Sequence, residues 1–293
     1  MNSKPHWTHY FRDTTHSTFA LANFFFRFLP DNRKQSINRE YHAQRSLAPT
    51  GLVPKPYFKF VSPMSWLPSF VVEEKIDFYP DYQKSDQFII DTAKSLKKLH
   101  SFSRKNKNLI TRHIPEDIFL RDGTYNPLVI LENFIEVPFA KVKSQSPKLI
   151  TKAVRISVEK IGEQIRTLAK SAVYKSEYCS MVHGDLNDTN IVRRKDKTGV
   201  AYLDWADSRW DIASCDIAQF IYLHKLNNRE KKLFLNAYNE KWLTDSIIEI
   251  HRLLLIGWDI IYLMTINLDI PPDKIDWLLP LKQLVWDQSK PAI

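Results

Sequence analysis

The sequence of 293 residues lacks a cysteine motif, an internal repeat and a long apolar run. Its two cysteines, Cys179 and Cys215, lie far apart without a CxxC pair or a histidine cluster, which excludes a zinc-binding motif and a disulfide framework. The longest nearly apolar stretch, Leu253–Met264, is interrupted by Asp259 and is too short to span a membrane. We therefore expect a cytoplasmic protein with no membrane partner.

The chain is basic, with a formal net charge of +9. This charge is compatible with a partner rich in phosphate, but it does not distinguish a nucleotide from a nucleic acid or a membrane surface. The densest basic stretch, Lys94–Lys107, carries Leu96 and Leu99 at helical spacing and lacks interleaved aromatic residues. It is typical of a solvated helix end, and no nucleic-acid partner is expected.

Hydrophobic residues make up 44% of the chain, enough for two lobes. The patterning predicts strands and a helix in the first part, an amphipathic helix in the middle, three strands after it, and helices from Asp211 onward. The predicted strands are Ser17–Leu21, Asn23–Phe28, one starting at Phe70, Tyr178–Val182, Asn190–Arg194 and Val200–Trp205; the predicted helices are Ser36–Leu47, Gln87–His100 and Leu149–Ala172.

The segment MVHGDLNDTNIV places the carboxylate of Asp185 and the amide of Asn190 on a polar loop between two predicted strands, and YLDW places Asp204 at the end of the next strand. A hairpin brings these groups to one rim. They supply hard oxygen ligands for Mg²⁺ and one carboxylate that orients a hydroxyl, which are the requirements of phosphoryl transfer. An Asp-rich loop alone more often forms turns. The conjunction of HGDxxxxN, a hairpin and a strand ending in DW favours catalysis.

With these motifs the chain resembles the aminoglycoside phosphotransferase and choline kinase family. The resemblance implies an α+β, bilobal protein-kinase-like fold, with an N-terminal nucleotide-binding lobe at residues 1–78 and a catalytic and acceptor-binding lobe at residues 79–293. It makes Asp185 the catalytic base, gives Asn190 and Asp204 the task of holding Mg²⁺ on the phosphates of ATP, and makes His183 a buried support of the loop.

Two further segments carry the resemblance. WDIASCDIA is similar to the family's GDPxxDLA segment, which implies that Asp216 braces the catalytic loop, while Asp211 is interpreted as a helix N-cap. FFFRFLP followed by INREYHAQRSL is similar to the family's third strand and first lobe helix, which makes Arg27 the phosphate-contacting cation and Glu40 its ion-pair partner. A surface charge on an edge strand is the alternative for Arg27.

The chain departs from the family in two places. The family often has a glycine-containing loop over the phosphates, whereas the first glycine here is Gly51, so the polar run Arg12–Ser17 must supply side-chain hydroxyls and backbone amides instead. Protein kinases usually have a lysine two positions after the catalytic aspartate, where this chain has Asn187. That difference favours a small hydroxyl acceptor over a protein substrate.

The family's acceptor lies against the C-terminal helices. Trp258 and Tyr262 share a helix face there with Asp259 beside them, which predicts an aromatic and acidic cage for a cation. The alternative is that the rings are core, since Leu253–Ile256 precede them, and of the two interpretations we favour core packing.

The sequence thus predicts an ATP- and Mg²⁺-dependent kinase of a small hydroxyl compound, of the choline, ethanolamine, thiamine or aminoglycoside type. A catalytically silent, kinase-like nucleotide-binding regulator and a basic nucleic-acid-associated protein are the alternatives. The complete set of Asp185, Asn190 and Asp204 argues against both.

Overall fold

The computed structural model describes residues 17–29, 34–63, 69–79, 84–114, 120–121, 124–196 and 199–266. The chain divides into two compact units, one formed by residues 1–116, 179–216 and 223–239 and the other by residues 117–178, 217–222 and 240–293. The predicted lobe boundary at residue 78 stays a prediction.

Antiparallel pairing joins all of the strands in the described part of the chain. The first four strands form one sheet in the order β1-β2-β4-β3, and the others pair as β10 with β7, β5 with β6, and β8 with β9. The strands are β1 Ser17–Leu21, β2 Phe24–Leu29, β3 Pro56–Phe60, β4 Ser69–Glu74, β5 Leu120–Arg121, β6 Thr124–Tyr125, β7 Cys179–Val182, β8 Ile191–Arg193, β9 Val200–Tyr202 and β10 Arg209–Ile212.

The helices lie between these strands and after them. They are α1 Lys34–Leu47, α2 Asp86–Lys105, α3 Lys107–Ile110, α4 Pro127–Ile130, α5 Val137–Gln145, α6 Lys152–Ala169, α7 Ser214–Leu223, α8 Asn228–Tyr238 and α9 Asp245–Ile266, with a π-helical stretch at Leu131–Glu136. None of the helices in the described ranges is both long and apolar enough to cross a membrane.

Helix α1 packs on β3 and β4 in the first unit. Its buried face consists of Ile37, Ala43 and Leu47 together with two polar residues, Glu40 and Gln44. Because residues three and four apart share a helix face, this apolar stripe turns both polar side chains toward the sheet.

Helix α2 begins at the N-cap Ser85, whose side chain accepts a hydrogen bond from the backbone N–H of Phe88. Phe88, Ile89, Leu96 and Leu99 bury one face of the helix, which packs on α8 and β7. This packing places the C-terminal half of α2 beside the end of β7.

The second unit has a core between α6 and α9. Val154, Val158, Ile161 and Ile165 recur at helical spacing and are buried, as expected for an amphipathic helix, and Thr151 caps its N-terminus.

The expectation that the chain is helical from Asp211 onward is wrong at its first residues. Asp211 and Ile212 belong to β10, which pairs with β7. Trp210 and Ile212 are buried apolar residues that lie opposite Met181 and Cys179 of β7.

Candidate active site

A loop follows β7 and starts with His183, whose imidazole is buried. Its Nε2–H donates to the carbonyl oxygen of Leu203 at 2.7 Å, and its Nδ1 accepts the backbone N–H of Asp185 at 3.2 Å. The ring also contacts that of Trp205, with 4.5 Å between centroids. These contacts use both ring nitrogens in the neutral tautomer and fix the backbone of the loop.

Gly184 gives this loop a conformation that other residues rarely adopt. Its φ is +85°, and a Cβ there would lie 2.6 Å from the carbonyl oxygen of Asp207. Only glycine fits without a backbone shift.

Asp216 lies under the same loop and is buried. Its carboxylate accepts the backbone N–H of His183 at 2.8 Å and that of Gly184 at 3.0 Å. It also accepts from Nε2 of His100 at 3.1 Å, while Nδ1 of that histidine lies 2.9 Å from the hydroxyl of Tyr238. Burial opposes ionisation, but the hydrogen bond from His100 and the charges nearby hold the pKa of Asp216 below its usual range.

The carboxylate of Asp185 is held by two amides. Nδ2 of Asn187 donates to both of its oxygens, at 3.1 and 3.0 Å, and Nδ2 of Asn190 donates to Oδ2 at 2.9 Å. The other end of the Asn187 amide accepts the backbone N–H groups of Thr189 and Asn190. Partial burial raises the pKa of Asp185 above its ordinary value. The loop thus presents a fixed carboxylate.

The hairpin of β8 and β9 brings Asn190 and Asp204 to the same end. Asn190 precedes β8, and Leu203 and Asp204 follow β9. The backbone N–H of Leu203 donates to the carbonyl oxygen of Asn190 at 2.9 Å, while the carbonyl oxygen of Leu203 accepts from His183. Both ends of the loop are therefore hydrogen-bonded to Leu203, the residue that precedes Asp204. Asp204 itself has a φ of 58°, a left-handed conformation of the kind that occurs at functional sites.

Arg27, on β2 of the first sheet, forms an ion pair with Asp204. Its Nη1 lies 2.9 Å from Oε1 of Glu40 and 3.0 Å from Oδ1 of Asp204. Arg27 is only 6% exposed, so the surface alternative for this residue is wrong. One guanidinium thus joins β2, helix α1 and Asp204.

Two further residues of this cluster, Glu73 and Gln44, were not predicted from the sequence. Glu73 on β4 is buried, and its Oε1 lies 3.4 Å from Nη2 of Arg27, while its Oε2 accepts a hydrogen bond from Nε2 of Gln44. Burial raises the pKa of Glu40 to about 8 and also raises that of Glu73. Burial would lower the pKa of Arg27, but its three carboxylates raise it above its ordinary value. Three carboxyl groups share one guanidinium, and burial favours the protonated form of two of them, Glu40 and Glu73.

The residues predicted to form a cation cage lie on α9 in the second unit. Trp258 and Tyr262 are 43% and 53% exposed, so the core reading that the sequence favoured for these rings is wrong. Trp258 packs edge-on against Phe134, with 5.2 Å between centroids. Asp259 accepts a hydrogen bond from the hydroxyl of Tyr222 at 3.2 Å, and burial raises its pKa.

Two other predictions concern Asp211 and the polar run Arg12–Ser17; the first is wrong and the second is not tested. Asp211 is not a helix N-cap, because it lies in β10 and its carboxylate accepts from Arg209 and from the backbone N–H of Ile212. The run Arg12–Ser17 lies outside the described residues except for its last member.

Comparison with known proteins gives a family and a fold. The model of the phosphotransferase enzyme family matches residues 7–253. No protein with a curated description gives a significant match.

Several solved structures match most of the chain. Aminoglycoside 2′-phosphotransferase-IIIa in complex with GDP is 16% identical, over 94% of this chain and 89% of that protein, with a TM-score of 0.68. A choline/ethanolamine kinase family protein from Mesorhizobium loti is 14% identical over 94% and 84%, with a TM-score of 0.63. Spectinomycin phosphotransferase APH(9)-Ia, in complex with ADP and spectinomycin, is 14% identical over 96% and 87%, with a TM-score of 0.62. These likenesses confirm the α+β kinase-like fold, with an antiparallel sheet followed by a largely helical region.

Proposed function

We propose, because the chain belongs to the phosphotransferase enzyme family, that it transfers the γ-phosphoryl group of ATP to a hydroxyl group of a small molecule in a reaction that needs Mg²⁺. The observation that carries this proposal is the linkage of three elements: the HGD loop, the hairpin end with Asn190 and Asp204, and the Arg27–Glu40 pair, joined through Leu203 and Asp204. Phosphoryl transfer depends mainly on positioning and on charge stabilisation, and such a linkage serves both. In this proposal residues 1–78 bind the nucleotide and residues 79–293 carry the catalytic loop and the acceptor.

Asp185 acts as the base that accepts the hydroxyl proton. Asn187 and Asn190 fix the direction of its carboxylate, and its partial burial brings its pKa closer to neutrality, where a base works more effectively. His183 and Asp216 hold the backbone of this loop and do not touch the acceptor.

The donor set suits Mg²⁺. The amide nitrogen of Asn190 is occupied by Asp185, which leaves its oxygen as the ligand, and Asp204 supplies a carboxylate oxygen. Mg²⁺ prefers oxygen ligands and is usually bound by one or two protein groups together with phosphates and water. When bound, the ion neutralises charge on the phosphates. In the described part of the chain no three or more His, Cys, Asp or Glu residues cluster as a metal site.

Arg27 contacts the phosphates in this proposal. Its guanidinium already points one nitrogen at Asp204, and Glu40 keeps it from turning away. Arginine suits phosphate because its planar donors match two oxygens at once.

The acceptor is proposed to be a cation held near Trp258, Asp259 and Tyr262. Exposed ring faces attract a cation through their quadrupole, and the carboxylate of Asp259 adds a counter-charge. Choline, ethanolamine, thiamine and aminoglycosides belong to this class.

A screen of these four acceptor types for acceptor-dependent ADP release tests the proposal. Asp185→Asn should lower kcat about 100- to 10,000-fold with ATP affinity largely kept, because the amide cannot take the proton. Unchanged turnover in that variant would remove Asp185 from the mechanism, and unchanged turnover in EDTA would remove the metal. ATP binding by the wild type without turnover on any acceptor would favour the silent regulator instead.

A further inference from the structure

Glu73 lies on the same face of the sheet as Arg27. The pairing of β2 with β4 sets Arg27 opposite Val71 and Phe25 opposite Glu73, and alternate residues of a strand share a face. Glu73 is 2% exposed, and its carboxylate contacts are the Nη2 of Arg27 and the amide of Gln44 on α1. A buried carboxylate therefore contacts Nη2 of the proposed phosphate-binding cation, whereas Asp204 contacts its Nη1.

The two terminal nitrogens of the guanidinium, Nη1 and Nη2, have different partners. Nη1 contacts Glu40 and Asp204, at 2.9 and 3.0 Å, whereas Nη2 contacts Glu73 at 3.4 Å. In protein kinases the equivalent cation is a lysine on a strand that pairs with one glutamate of a helix. An ammonium group is a single point charge and has no second nitrogen with which to reach another carboxylate.

Stability alone does not account for Glu73. Replacing a buried ion pair by apolar residues is often neutral or stabilising, because desolvation offsets the attraction. Here Glu73 also adds a third carboxylate to a cluster with one cation, which raises rather than lowers the electrostatic cost of burial. Such a residue is better explained by what it does to Arg27.

We infer that Glu73, held by Gln44, is a positioning residue for Arg27: it binds the second nitrogen, fixes the plane of the guanidinium so that Nη1 faces Asp204, and makes arginine rather than lysine the cation that this site requires. The inference rests on the proposed function. It predicts that positions 27 and 73 are interdependent, with arginine matched to glutamate and lysine matched to a neutral residue.

Four variants test this interdependence: Glu73→Gln, Arg27→Lys, the double variant of both, and Glu74→Gln as the matched control. Glu74 is the next residue of the same strand, and its carboxylate pairs with Arg194 at 3.3 Å, away from Arg27. Glu73→Gln should raise the KM for ATP about 10- to 100-fold, the range typical when a residue that orients a ligand-binding side chain is lost. The KM for the acceptor should be unchanged, and the melting temperature should be equal to that of the wild type or higher. Glu74→Gln should leave both KM values unchanged.

The double variant gives the decisive comparison. Arg27→Lys alone leaves Glu73 buried without a cation, so Arg27→Lys/Glu73→Gln should have a kcat/KM for ATP at least about tenfold above that of Arg27→Lys. Additive losses, or a double variant no better than Arg27→Lys in activity or in soluble yield, overturn the inference. A lower melting temperature of Glu73→Gln with an unchanged KM for ATP overturns it as well, because only a structural role moves stability alone.

A binding measurement separates this inference from the proposed function. Calorimetry with Mg²⁺ gives the dissociation constant of the non-hydrolysable analogue AMP-PNP for the wild type and the same four variants, and this measurement needs no turnover. If the wild type binds the analogue but phosphorylates no acceptor, the proposed function fails while the interdependence of positions 27 and 73 is still measured. Equal affinity of the wild type and Glu73→Gln contradicts the inference even if the enzyme is active.

Discussion

Replacing Asp216 by asparagine should destabilise the protein and loosen the HGD loop. The carboxylate now accepts three hydrogen bonds, from the backbone of His183 and Gly184 and from His100. Asparagine has one acceptor oxygen, so if it stays on the side of His183 and His100, its NH₂ group faces the N–H of Gly184. A buried donor without a partner costs about 1–3 kcal/mol, and loss of the negative charge weakens each of the other two bonds by about 0.5–1.5 kcal/mol.

The expected loss in the free energy of unfolding is about 2–6 kcal/mol, which corresponds to a melting temperature lower by roughly 3–10 °C for a chain of this length. Urea unfolding at neutral pH measures the first quantity and calorimetry the second. Amide hydrogen exchange gives the local result: His183 and Gly184 should exchange faster in the variant, since their acceptor is weakened. Turnover should fall together with this local protection, because Asp185 follows directly in the chain.

Asp91→Asn is the control for this experiment. Asp91 lies on α2 and accepts one solvent-exposed hydrogen bond, from Gln87 at 2.8 Å. Its replacement should change stability by no more than about 0.5 kcal/mol. If Asp216→Asn is equally mild, and the exchange of Gly184 is unchanged, the carboxylate does not brace the loop and the reasoning fails.

Three further predictions use other parts of the site. Gly184→Ala should abolish activity or folding, because its Cβ would meet the carbonyl oxygen of Asp207. Gly199→Ala, at a φ of +100° with open space around it, should lower the free energy of unfolding by only about 1–2 kcal/mol. Equal melting temperatures of the two variants would contradict this prediction. Burial raises the pKa of Glu40 from 4.5 to about 8, so its contribution to stability is fully present below about pH 4.5 and is lost as pH rises through 8. The stability of the wild type relative to Glu40→Gln, measured by urea unfolding in EDTA, should therefore fall between pH 5 and 9, and a flat difference would refute the shift. Trp258→Leu should raise the KM of a cationic acceptor roughly 2- to 30-fold with little change in melting temperature, and a lower melting temperature with unchanged acceptor preference would point to packing.

The elements with a strong local period were predicted from the sequence. Helix α6 was recognised because its apolar residues recur by three and four, and the hairpin of β8 and β9 because a turn-forming run separates two short apolar stretches. The HGDxxxxN motif and the strand that ends in DW also predicted that Asp185, Asn190 and Asp204 lie at one rim, since a hairpin returns the chain to its starting edge. Local pattern was enough for these features.

Glu73 and Gln44 could not be found in this way. Glu73 lies in SFVVEE, where two acidic residues end an apolar run and read as a solvent-facing strand end. Its burial depends on Arg27, which lies on another strand far away in sequence, and on Gln44 from a helix. A glutamine at an inward position of α1 was the one local signal, because it interrupts the apolar stripe of Ile37, Ala43 and Leu47.

Strand β10 was missed for a related reason. The segment Arg209–Ile212 precedes a helix and alternates only over four residues, so its period is too short to identify. Pairing with the buried β7 decides its conformation, and the sequence does not reveal that partner.

The double tie at Leu203 sets where this chain tolerates extra length. Both the start and the end of the loop bond to that one residue, through the imidazole of His183 and the carbonyl of Asn190. Adding or deleting a single residue between them would break one of the two bonds. At the far end of the hairpin, the N–H of Arg194 donates to the carbonyl oxygen of Gly199 at 3.3 Å, the guanidinium of Arg194 pairs with Asp196, and the N–H of Lys195 donates to the carbonyl oxygen of Asp77. Additional residues between Asp196 and Gly199 would leave these bonds in place. A peptide tag or a fluorescent reporter therefore belongs after Asp196, and relatives of different length should differ there before they differ between His183 and Asn190.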